Sequence, residues 1–78
     1  MMETNLSKMD DLLAVLLLGQ VSEENRLTQE HIQGARTYLL GGMPREYRLN
    51  LEMARDSASQ IPDQNTRERA ERILESVM

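Results

Sequence analysis

Few side chains in this sequence are suited to chemistry. His31 is the only histidine, and there is no cysteine. Paired histidine acid–base chemistry and thiol nucleophiles therefore lack their parts. A metal site needs several ligands and would have one imidazole to draw on. His31 is read as a surface or half-buried helix residue. Carboxylates adjoin at Asp10-Asp11 and at Glu23-Glu24, but neighbours on a helix point about 100° apart. Neither pair converges on one reacting atom. Gly41-Gly42 has neither the Gly-Lys-Ser/Thr continuation nor the preceding strand of a phosphate loop, and is read as a turn that ends a helix. The expectation is a chain that is not an enzyme and uses no metal or cofactor.

Charge bears on partners. The net charge of −4 opposes non-specific nucleic-acid binding. Two helices around a short Gly-containing turn do have the outline of a helix-turn-helix, and six arginines follow Pro44. Seven acids share that stretch, so no basic face dominates. The arginines are read as one half of a solvated surface laced with ion pairs.

The elements come next. The sequence has 78 residues, 40% hydrophobic and 28% charged, the balance of a globular chain. One domain over residues 1–78 is expected. Strand signals are poor, and the fold class is all-α. A first helix is predicted after Ser7, with Ser7 and Asp10 as a capping pair. It runs to about Leu18 or Gln20 on the stripe Met9, Leu12, Leu13, Leu16 and Leu17. Residues 19–25 read either as a loop or as the polar middle of one long helix. A second helical stretch, about Thr28 to Leu40, places Ile32, Ala35, Leu39 and Leu40 on one side. Gly41 and Gly42 stop it, and Pro44 suits the first turn of the next helix. That helix is predicted to reach about Gln60 on Tyr47, Leu51, Ala54, Ala58 and Ile61. After Pro62, Asn65 and Glu68 form a cap pair for a short last helix, Thr66 to about Val77, with Ala70, Ile73, Leu74 and Val77 as its stripe. The architecture is thus a helical hairpin with a short extra C-terminal helix, or alternatively a bundle of three to four helices. The longest apolar run, Leu12 to Leu18, is far shorter than the roughly 20 residues of a spanning helix. Acids precede it, unlike a signal peptide. The chain is read as cytoplasmic, without membrane insertion.

Two features point to a protein partner. The first helix is apolar nearly all round, which calls for burial on more than one side. Leu49 and Met53 lie four residues apart, opposite the stripe of their helix. A core of this size rarely contributes more than roughly 3–5 kcal/mol, so a partner or self-association is expected. The candidate interface residues are Leu13, Leu16, Leu17, Tyr47, Leu49 and Met53, with Gly41, Gly42 and Pro44 as the structural turn.

The segment Gly41-Gly42-Met43-Pro44-Arg45-Glu46-Tyr47 resembles the hairpin turn of the small type III secretion needle co-chaperones of the YscE/PscE kind. Gly41, Gly42, Pro44, Glu46 and Tyr47 fall at matching places, and a Leu-rich segment with acids, residues 6–13, lies at about the family's distance upstream. The resemblance implies a helical hairpin that pairs with a tetratricopeptide-like chaperone and keeps a needle subunit monomeric before export. Gly19 and Ser22 depart from the family's continuous first helix, Pro62 ends the second helix, and the last helix is an addition to the family's pattern. The alternative is a small homo-oligomeric helical adaptor or transcriptional regulator.

Overall fold

The computed structural model describes residues 2–78, with side chains from residue 3 onward. It is all-helical and contains four helices: α1 (Met2–Leu18), α2 (Glu23–Leu40), α3 (Pro44–Ala58) and α4 (Gln64–Val77). They run up, down, up and down. α2 and α3 pack as a close hairpin, and α1 and α4 lie together against it. The molecule measures 33 × 19 × 17 Å.

α1 begins well before the predicted start. Leu6 packs against the core and extends the stripe of Met9, Leu12 and Leu16 by one turn. That burial outweighs the capping pattern at Ser7 and Asp10, which sit in the helix interior with exposed side chains. Glu3 instead supplies the acid in the first turn. Only one side of α1 is buried. Met9, Leu12 and Leu16 are enclosed, whereas Leu17 and Leu18 are 69% and 89% exposed.

Residues 19–22 are a loop. Gly19 closes α1 with its N–H on the Leu16 carbonyl, and it lacks a Cβ for a reason of packing. A Cβ there would lie 2.5 Å from Thr66 Oγ1, because the start of α4 passes directly over the end of α1. Ser22 then caps α2, its Oγ accepting the Asn25 N–H at 3.0 Å, with Glu23 and Glu24 in the first turn. The buried Asn25 side chain holds the corner. Its Nδ2 donates to the Leu16 carbonyl (2.9 Å) and the Gln20 carbonyl (3.0 Å), and its Oδ1 accepts from Gln29 Nε2. Helix-end carbonyls that would otherwise lack partners are thereby satisfied.

α2 ends in a Schellman motif. The Met43 N–H reaches the Tyr38 carbonyl at 2.9 Å and the Gly42 N–H reaches Leu39 at 3.2 Å. Gly42 carries the left-handed backbone, with φ +70°. Gly41 is right-handed, at φ −81°. Leu40, predicted on the core side, is 54% exposed. Leu39, predicted on the same side, packs against the core.

Small residues let α2 and α3 approach. Ala35, Ala54 and Ala58 are fully buried, and a Cβ on Gly34 would lie 2.7 Å from Asn50 Oδ1. The hydroxyls of Thr28 and Ser57 meet across the hairpin at 2.7 Å. After α3, Ile61 is buried from within the loop, and Pro62 prevents further helix. Asp63, rather than the predicted Asn65, caps α4: its Oδ2 accepts from the Thr66 N–H and hydroxyl. Asn65 is exposed. These bonds from Thr66 hold the Asp63 carboxyl below its usual range. No helix among the described residues is long and apolar enough to cross a membrane.

Candidate protein-binding surface

The Gly-Gly-x-Pro turn and the residues after it build one wall of an apolar cleft of about 550 Å³. Leu39 enters from the end of α2 and Met43 and Pro44 from the turn. Tyr47 and Leu51 come from the first turns of α3, and Val77 from the end of α4. Arg48 and Glu52 supply the charged rim. The local reason is helical spacing. Pro44 starts α3 with a preset φ, and Tyr47, Arg48 and Leu51 then project toward the neighbouring helix ends. The cleft falls within the volume range of ordinary ligand and side-chain pockets.

Tyr47 is half-buried here and packs against the core. Its ring lines the same cleft as Leu39. Its other contact is not readable from local spacing. Asn5, one turn into α1, donates to the Tyr47 hydroxyl at 3.3 Å, so the ring also ties the first helix to the hairpin. Burial pushes its phenol above the ordinary value, with the bond from Asn5 opposing.

The expected interface residues do not form one patch. Leu16 is enclosed in the core and offers no surface. Leu13 is half-buried against the core. Leu17 projects at the opposite end of the molecule, in an apolar corner with Leu18 and the fully exposed Val21. Leu49 is 54% exposed on α3, beside Arg45 and Arg48. Met53 is half-buried in a shallow depression with Leu27 and His31. Only Tyr47 reaches the cleft. Sequence reasoning did not assign Val77 and Met43 to a surface. Val77 read as core stripe, and nothing in a linear pattern shows that the last turn of α4 ends beside the α2–α3 turn.

The candidate chemical groups are dispersed. Asp10 pairs with Arg36 at 3.0 Å, and Glu23 with Arg26 at 2.6 Å. Arg26 also holds Glu30, and the two acids together raise its already high pKa, Glu23 most. The Arg67 side chain donates to the Ile61 carbonyl at 2.8 Å. No cluster of three or more potential metal ligands occurs among the described residues. The arrangement presents apolar concavities framed by separate charges. No family model, no curated protein and no solved structure matches this chain.

Proposed function

We propose that the chain is a protein-binding helical module acting as the small member of a chaperone pair of the type III secretion needle kind. One observation carries this reading. Three of the five residues on which the resemblance rests, Gly42, Pro44 and Tyr47, line the apolar cleft between the ends of α2, α3 and α4. A partner's apolar side chain seated there would cover Tyr47 and Leu39. In this reading the larger partner is a tetratricopeptide-like chaperone, and the pair shields a needle subunit from premature assembly.

The experiment is affinity capture of the tagged full chain from its native cell, with identification of the co-purifying proteins. Recovery of a tetratricopeptide-like chaperone together with a small needle-type subunit supports the reading. Recovery of the chain alone overturns it and leaves the adaptor alternative. Tyr47→Ala is expected to weaken capture or folding by about 2–4 kcal/mol, near the lower end for large aromatic truncations because the ring is half-buried. Tyr47→Phe, which loses only the contact with Asn5, should retain capture.

A further inference from the structure

The outer face of the α2–α3 hairpin, turned away from α1 and α4, has a polarity that the cleft does not share. On α3, Arg45, Leu49, Met53 and Asp56 recur at helical spacing on the side opposite Leu51, Ala54 and Ala58. On α2, Glu24, Leu27, His31 and Tyr38 do the same. Leu27, Tyr38 and Met53 are half-buried and Leu49 is exposed. None of the four belongs to the core cluster or packs against it. Gly34 leaves the ground low between the helices, over Asn50. At the turn end, Arg45 and Arg48 flank Leu49, and Glu52, which with Arg48 also rims the cleft, lines the same depression and leaves one net positive charge there. At the far end, Glu24 and Asp56 flank Leu27 and Met53. Among the described residues, none of these charges takes part in an ion pair.

A face that carries Arg45 and Arg48 toward one end and Glu24 and Asp56 toward the other, with Leu49 and Met53 between them, is complementary to itself when turned end for end. We propose that the chain forms a two-fold dimer through this face, with the two hairpins antiparallel. The Arg45/Arg48 end of each copy then lies on the Glu24/Asp56 end of its partner. Leu49 and Met53 meet near the centre, and Leu27 of each copy lies against the Tyr38 region of the other. A two-fold interface uses the same patch on both copies, so each charge contact occurs twice. One long face of a 33 × 19 × 17 Å molecule is on the scale of the roughly 800 Å² per partner that a stable complex buries. The pairing uses the whole face.

The test is sedimentation of the full chain over a range of concentrations, with helicity checked by circular dichroism. A concentration-dependent monomer–dimer equilibrium is expected for the wild type. Two variants separate this face from any other. One is the double change Arg45→Glu with Arg48→Glu, and the other is Glu24→Arg with Asp56→Arg. Each alone places like charges against like, so its dissociation constant should rise at least about tenfold. Mixed in equal amounts, the two should form a heterodimer, because both contacts are then attractive. A wild type that stays monomeric at every concentration overturns the proposal. So does a dimer whose affinity neither variant changes, or a folded pair of variants that do not associate when mixed.

Discussion

At the residue scale, the two turn glycines look equivalent in the sequence and differ in the fold. Gly42 has φ +70°, and a Cβ there would meet no neighbour. Its requirement is conformational, since left-handed backbone costs an L-residue roughly 1–2 kcal/mol. Gly41 is right-handed, and a Cβ there would make ordinary contact, 3.4 Å from the Thr37 carbonyl. Gly42→Ala should therefore destabilise by about 1–2 kcal/mol. Gly41→Ala should be neutral or stabilise by up to about 1 kcal/mol, by restricting the unfolded chain. Urea titrations of both variants check the contrast. Asp63 gives a pH prediction. Its folded pKa lies below the unfolded value because Thr66 donates to the carboxylate. The cap's contribution is then present above the unfolded pKa and is lost as pH falls through the folded one. Acid titration of thermal stability should show this loss below about pH 4, near the free carboxyl value. Asp63→Asn, which still caps, should flatten it. The spacing of Asn65 and Glu68 points to a cap two residues too late, and the path of the chain after Pro62 selects Asp63.

At the scale of elements, periodicity located all four helices and misjudged their ends. The stripes Leu51-Ala54-Ala58-Ile61 and Ala70-Leu74 are buried as their spacing requires. The early start of α1 was hidden because Ser7 and Asp10 mimic a cap while Leu6 supplies burial one turn earlier. The choice between loop and helix for residues 19–25 rested on a tertiary contact. Gly19 yields to Thr66, a residue remote in sequence, and Asn25 then fastens the corner from within. Asn25→Ala leaves the Leu16 and Gln20 carbonyls without that donor in a buried setting. It should cost about 1–3 kcal/mol, read as a lower thermal midpoint. If the midpoint were unchanged, the corner would be held by the Ser22 cap and Gly19 contact alone.

At the scale of the whole molecule, four short helices enclose a core of leucine, isoleucine, methionine and alanine. Leu12 is fully enclosed. Leu12→Ala should cost about 2–5 kcal/mol, against the roughly 3–5 kcal/mol that a core of this size contributes. The variant should therefore lose most of its helical circular dichroism at 25 °C, and a persistently folded variant would show that stability has another source. The candidate surface was legible in part. Tyr47 and the glycine turn were readable because a local motif builds them. The cleft was not, because α4 closes it from the other end of the sequence. Leu16 is covered because α2 and α4 together enclose one side of α1, which a single helix's pattern does not show.

The two tyrosines occupy different surfaces of the same hairpin. Tyr47 lines the cleft and Tyr38 lies on the outer face of α2, and the chain has no tryptophan. Its near-ultraviolet absorption and fluorescence therefore arise from α2 and α3 alone. Ligation at the cleft would alter Tyr47, and pairing of two copies would alter Tyr38. With Tyr38→Phe and Tyr47→Phe each leaving a single fluorophore, two binding events on one small protein could be followed separately by intrinsic emission, without an added label.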